Sequence, residues 1–279
     1  MPDLAESLPG VQSPRVSSYR EYPPSAELMP FVECFWTREA VIAGRHVGDG
    51  PAPHRVLPDG CIDVVLAVPA GGDEPESAMV VGTMTRALVL DAMSTLECFV
   101  GVRFRPGKAT AFLALPASEI TDQRISIDDV WPDAEHVRDT LAARRDVVAR
   151  VRALERILLK RLAPHARGSQ RDVDEAVRRI IESGGSLGIT RLAPSLGVTR
   201  QHLARRFAQL VGVSPKTFAR VVRLNRVVER VRLVPAGQPV NWSALALELG
   251  YYDQSHLVDE FREMTGLTPT AWRASRASI

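Results

Sequence analysis

Residues 192–207 read LAPSLGVTRQHLARRF, and residues 245–261 read LALELGYYDQSHLVDEF. The two stretches share a skeleton: Leu-Ala, a glycine four residues on, an apolar residue, a Leu-x-x-x-Phe pair, and then Gly-apolar-Ser/Thr-Pro. The first copy supplies Leu192, Ala193, Gly197, Val198, Leu203, Phe207, Gly212, Val213, Ser214 and Pro215. The second supplies Leu245, Ala246, Gly250, Tyr251, Leu257, Phe261, Gly266, Leu267, Thr268 and Pro269. One difference stands out, because Arg205-Arg206 in the first copy becomes Asp259-Glu260 in the second.

Each repeated element has a physical job. Leu and Ala give a short first helix an apolar face, with Ala permitting close approach of a second helix. Gly197 and Gly250 fall where that helix must stop and turn, a position suited to a positive φ. Leu203/Phe207 and Leu257/Phe261 are i, i+4 pairs that form the buried stripe of a second helix. Two helices joined by a tight glycine turn make a helix-turn-helix, whose second helix is the one that can enter a major groove. Thr199 and Asp253 are expected to cap the second helices, and Thr190 and Asn241 the first ones. With Thr190 as cap, Pro194 lies in a first turn, where proline costs least.

Between the copies, Ser214-Pro215 reads as a cap followed by an N1 proline. The helical pattern then runs to Pro235-Ala236-Gly237. About 19 residues at 1.5 Å each make a rod of roughly 28 Å, against roughly 34 Å for a turn of B-DNA. A connector of that length can set two recognition helices in successive major grooves. Its Arg220, Arg223, Arg226 and Arg230 either approach phosphates or form a solvated face.

Upstream the pattern is different. FVECFW (31–36), CIDVVLAV (61–68), MVVGTM (79–84) and ECFVGVRF (97–104) are short β-rich runs. Turn signals separate them at 48–51, 58–60 and 69–72. They predict a small, mostly antiparallel sheet or barrel, and KATAFLAL (108–115) suggests a short helix. Over 134–162, Val137, Leu141, Val148, Val151, Leu154, Leu158 and Leu162 recur at helical spacing. They predict one long amphipathic helix whose stripe packs on its own sheet or forms a dimer seam. The expected fold class is therefore α+β. It comprises a tail (1–15), a β-rich regulatory domain (16–165), a linker (166–171) and an all-α domain (172–279). Within the last, the first helix-turn-helix is expected at about 189–211, the connecting helix at about 215–233 and the second unit at about 241–265.

The formal charge of +2 hides an asymmetry. Residues 170–279 carry 16 Lys/Arg against 10 Asp/Glu, whereas the remainder carries 19 against 23. A basic C-terminal part on a mildly acidic body points to a polyanion partner at the C-terminus. No apolar run reaches the roughly 20 residues of a membrane span. The opening MPDLAESLPGVQSPR has no apolar h-region, so it predicts a short tail rather than a secretion signal. Cys34, Cys61 and Cys98 lack CxxC spacing and read as reduced thiols of a cytoplasmic protein. No phosphate loop, nucleophile elbow or HExxH is present, so an enzyme is not expected, nor is a cofactor or metal.

Two helix-turn-helix units joined by a long helix resemble the DNA-binding domain of the AraC/XylS family of bacterial transcription regulators. The segment GYYDQSHLVDEFREMTGLTPTAWR (250–273) is similar to the family's signature. Leu57-Pro58-Asp59-Gly60-Cys61 and Gly101-Val102-Arg103-Phe104-Arg105-Pro106-Gly107 resemble motifs of an uncharacterised domain attached to some of these regulators, which implies a sensor module. Some AraC-type helices also occur beside a zinc-cysteine DNA-repair module, but intervals of 27 and 37 residues between the cysteines do not fit such a site.

The resemblance implies base reading by Gln201, Ala204 and Arg205 in the first unit and by Gln254, Ser255 and Asp259 in the second. Glutamine matches adenine N6/N7, arginine matches guanine O6/N7, and aspartate accepts from a cytosine amine. Backbone contacts are expected from Arg200, His202, Arg206, Arg220, Arg223 and His256. In the N-terminal domain, Arg103 and Arg105 alternate on a strand and so share one face. They either clamp an anionic effector, with Asp59 and His54 nearby, or form structural ion pairs with Asp59 or Asp63. Expected partners are double-stranded operator DNA, a small-molecule effector and, for an activator, RNA polymerase. A homodimer also fits, whereas a membrane partner does not. Two alternatives remain, a metal- or thiol-sensing regulator and a ligand-binding β-domain with a protein-interaction tail. On this reading Arg205-Arg206 and Asp259-Glu260 differ on an exposed side where the fold makes no demand.

Overall fold

The structure is a computed structural model that describes residues 18–39, 54–69, 77–90, 97–144, 146–162, 170–235 and 237–277. The expected tail and most of the expected linker lie outside them. Strands β1 (Ser18–Tyr22), β2 (Val32–Glu39), β4 (Ile62–Pro69), β5 (Ser77–Val81), β7 (Glu97–Phe104) and β8 (Arg124–Ser126) form one sheet, in the order β1-β2-β7-β4-β5-β8. Every pairing in it is antiparallel. β3 (His54–Val56) and β6 (Leu88–Leu90) form a separate antiparallel ladder. Strands β2, β4, β5 and β7 coincide with the four apolar runs, because alternation puts Val64, Leu66, Val100, Val102 and Phe104 on one buried face. The expected helix at 108–115 reduces to a 3-10 turn, Ala109–Ala111.

The expected single helix over 134–162 is two, α1 (Ala134–Ala142) and α2 (Val147–Arg161). Asp146 starts the second by accepting a hydrogen bond from Ala149 N at 2.8 Å. The apolar spacing continues across the break because both helices pack on the same core. Val137, Leu141, Val151, Leu154 and Leu158 are all buried with the sheet residues. These five thus cover the protein's own sheet, while Val148 of the same stripe is exposed.

The C-terminal part is all helix: α3 (Arg171–Glu182), α4 (Ile189–Ser195), α5 (Arg200–Val211), α6 (Pro215–Leu233), α7 (Trp242–Glu248), α8 (Gln254–Thr265) and α9 (Pro269–Ala277). It holds two separate cores. One gathers Val173, Ala176 and Ile180 of α3 with Leu192, Leu203, Phe207 and Phe218. The other gathers Leu224, Val228 and Val231 with Leu245, Leu257, Phe261 and Trp272. Among the described residues only α6 contributes to both, with Phe218 and Ala219 in the first and Val221, Leu224, Val227, Val228 and Val231 in the second. This fold is α+β, a β-rich N-terminal domain followed by a helical C-terminal one.

Candidate nucleic-acid interface

Each helix-turn-helix closes as the local chemistry dictates. Gly197 (φ +70°) and Gly250 (φ +78°) make the left-handed turns. Thr199, Asp253 and Asn241 accept from the backbone amides of His202, His256 and Ala244. Thr190 is not a cap, because α4 begins at Ile189 with Gly188 before it. Pro194 is accordingly the sixth residue of a seven-residue helix. It removes one donor there, and Leu196 N still closes the end on Leu192 O and Ala193 O. Ser214 caps α6 through Thr217 N, with Pro215 at its first position.

Leu203, Phe207 and Val211 bury one side of α5, leaving Arg200, Gln201, Ala204 and Arg205 exposed on the other. Leu257, Phe261 and Met264 bury one side of α8, leaving Gln254, Ser255, His256 and Asp259 exposed. Among the described residues Arg205 has no carboxylate within ion-pair distance. The Oε1 atom of Gln254 already accepts from Ser243 Oγ at 2.8 Å. Asp259 has a loose partner in Arg262 at 3.9 Å.

Several arginines expected at phosphates are committed elsewhere. Arg220 donates to Glu260 at 2.8 Å and to Glu263 at 2.6 Å. Arg223 donates to both Glu260 oxygens at 3.0 Å and lies over the Tyr251 ring at 5.0 Å. Arg230 pairs with Glu248 of α7, while Arg226 lies against Gly184. Arg220, Arg223 and Arg230 of α6 are therefore the surface on which the second unit is seated. The reason is burial: Glu260 is only 6% exposed, and an unpaired carboxylate there would be costly. The Arg220 hydrogen bond holds Glu263 below the usual carboxylate range, and burial, with Glu260 adding to it, pushes the Tyr251 phenol up.

The expectation that Glu260 sits where the fold makes no demand is thus overturned. A signal was present in the sequence: Leu257, Glu260, Phe261 and Met264 fall at i, i+3, i+4 and i+7, the spacing of a buried stripe. At the matching position of the first unit, Arg206 is half-buried and turns to Asp172 of α3 at 3.5 Å. His202 approaches the same carboxylate at 3.5 Å, and His256 lies 4.0 Å from Glu260.

In the N-terminal domain Arg103 is shared between Asp59 at 3.2 Å and Asp63 at 3.3 Å. Burial raises the Asp63 carboxyl while Arg103 opposes the rise; the same two aspartates hold Arg103 well above the usual guanidinium range. Asp59 also accepts from Cys61 N at 2.9 Å, as its turn requires. Arg105 lies just beyond the strand end and turns to Glu33 at 2.8 Å and Met29 O at 2.9 Å. The two guanidinium groups therefore do not form a clamp. The side chain of His54 lies outside the described residues. Burial pushes the Cys34 thiol up to about 12 and Cys61 upward too, which disfavours thiolate chemistry. Among the described residues no three His, Cys, Asp or Glu groups are placed to hold a metal, and no helix is long and apolar enough to cross a membrane.

A helix-turn-helix domain model matches residues 192–275, and a domain of unknown function (DUF6597) matches residues 20–126. No curated protein sequence matches the chain. Among solved structures, the C-terminal domain of AraT, a response regulator from Geobacillus stearothermophilus, is 24% identical. That match covers 39% of this chain and 88% of AraT's, with a TM-score of 0.34. ToxT from Vibrio cholerae is 10% identical over 86% of this chain and 98% of its own, with a TM-score of 0.44. Likenesses at that level do not extend to site residues or ligands. The matched segment contains the two helix-turn-helix units built around one shared helix, so residues 192–275 are a helix-turn-helix domain of the AraC type.

Proposed function

We propose that this regulator reads DNA with α5 and α8 placed in successive major grooves on one face of the duplex. The observation that carries the reading is the shared polarity of the two helices. Each buries its Leu-x-x-x-Phe side and exposes polar side chains of base-reading type. Gln201, Ala204 and Arg205 read bases in one groove, and Gln254, Ser255 and Asp259 in the other. Arg200 lies on phosphate. His202, Arg206 and His256 keep intraprotein partners and add backbone contacts from the edges of the helices. Purified protein, titrated onto its own upstream region and onto random DNA at moderate salt, is expected to prefer the former. Equal affinity for both would sink the reading.

The N-terminal domain is proposed to be the regulatory module of a cytoplasmic protein, acting through an effector or self-association. The Asp59-Arg103-Asp63 ion pairs are its most substantial polar cluster among the described residues. As an ion-paired unit they stiffen the 58–63 segment, in contrast to the free anion clamp that the sequence allows. RNA polymerase contact follows if the protein activates. Addition of an effector or a change in protein concentration is expected to alter the apparent operator affinity. If the N-terminal domain were removed and the remaining domain bound identically under all conditions, the regulatory role would be lost.

A further inference from the structure

Among the described residues the two helical cores share only α6, and outside the cores the turn at 184–186 touches Arg226 and the Gly250 corner of the second unit. Neither link reaches the C-terminal ends of α5 and α8. The N-terminal domain supplies a connection at those ends. At the C-terminal end of α5, Thr83 Oγ1 donates to Val211 O and Thr121 Oγ1 donates to Gly212 O, both at 2.5 Å. Gly212 is so close that an added Cβ would stand 3.0 Å from Thr83. At the C-terminal end of α8, Ala87 N donates to Met264 O at 2.7 Å, and Arg55 reaches Thr265 O at 3.4 Å. These are the carbonyls a helix leaves without internal partners. Thr83 and Ala87 belong to one loop, with Cα atoms at most roughly 14 Å apart. Both recognition helices therefore end on the same short segment.

That segment is held from behind by a residue that bonds to neither helix. Asp122 accepts from Thr85 N at 2.6 Å and from Thr85 Oγ1 at 2.7 Å, while its own N–H donates to Thr83 O at 3.0 Å. It holds a left-handed backbone (φ +56°), the only non-glycine to do so among the described residues. Such a conformation persists where surrounding contacts over-determine it.

We propose that the loop at residues 82–87, fixed by Asp122, ties the C-terminal ends of α5 and α8 together and thereby sets the half-site spacing that the protein accepts. Asp122 is a positioning residue, and the N-terminal domain acts as a spacer gauge as well as a regulatory module. The inference rests on the two-groove reading above. It differs from simple inhibition, in which the same contacts would hold the helices away from DNA altogether.

The test is selection of bound sites from a random duplex library by the full-length chain, its Asp122→Ala form and its Thr121→Val form. Circular dichroism and affinity for non-specific DNA serve as checks of folding. The unsubstituted chain is expected to select one half-site spacing. Both variants are expected to keep the half-site sequences but to accept spacings one or two base pairs longer or shorter. Affinity for the original spacing should fall roughly tenfold, the scale of one lost hydrogen bond. An unchanged single spacing in both variants would overturn the proposal, and so would uniformly tighter binding, which would mark the loop as inhibitory. A gapless site in the unsubstituted chain would instead remove the two-groove reading on which the proposal depends.

Discussion

The first and second helix-turn-helix units have the same skeleton and opposite charge at two adjacent matched positions. In the first, Arg206 faces Asp172 of the preceding helix at 3.5 Å. In the second, Glu260 is buried between Arg220 and Arg223 of the shared helix. The sign is reversed together with its partner, so each unit satisfies the position from a different neighbour. The first unit is fastened to α3 and the second to α6. The adjacent position behaves differently: Arg205 and Asp259 both face solvent, and Asp259 is 75% exposed. One residue of each charged pair therefore serves the fold and the other stays exposed.

Substitutions that separate these two roles rank by size. Glu260→Ala leaves Arg223 without a carboxylate and Arg220 with Glu263 alone, and is expected to lower unfolding stability by about 3–5 kcal/mol. Denaturant titration would show it, and a loss below 1 kcal/mol would mean that the network is replaceable. Arg205→Ala is expected to cost roughly 1–3 kcal/mol of binding at a single base position and to relax discrimination there. A loss spread evenly over all sequences would identify a phosphate contact instead. Arg206→Ala, at a longer and more exposed ion pair, should destabilise by about 1 kcal/mol or less. If it matched Glu260→Ala in thermal melts, the contrast between the units would fail. Asp259→Arg is expected to leave the fold intact, tighten binding and steepen the slope of log K against log salt by roughly one. Weaker binding would show that Asp259 itself reads a base.

The sequence made the repeat, its corners and its connector legible because these depend on local chemistry. Glycines at positive φ, side-chain caps and i, i+4 apolar pairs act within a few residues of one another. The structure puts helices at 189–195, 200–211, 215–233, 242–248 and 254–265, where that chemistry leads them. Strands β1, β3, β6 and β8 left little trace, being three to five residues long and stabilised by partners distant in the chain. The break between α1 and α2 was hidden because both halves face one core, so the apolar period runs through it. In the candidate site, the exposed reading positions follow from helical facing alone. The destinations of Arg103, Arg105, Arg220 and Arg223 do not. A guanidinium has the same sequence signature whether its acceptor is a phosphate or a carboxylate folded in from 40 residues away.

What the sequence determined by itself is a paired helix-turn-helix on a stiff connector, with polar side chains on the outer face of each second helix. Periodicity and capping are short-range properties, and a linear text contains them. Tertiary structure alone decided which charges are already spent and how the N-terminal domain is seated. Arg220 and Arg223 meet Glu260 only when α8 packs on α6, and Thr83 meets Val211 across 128 residues of chain. Such contacts depend on the closure of long loops around a common core, and no local pattern encodes the partner.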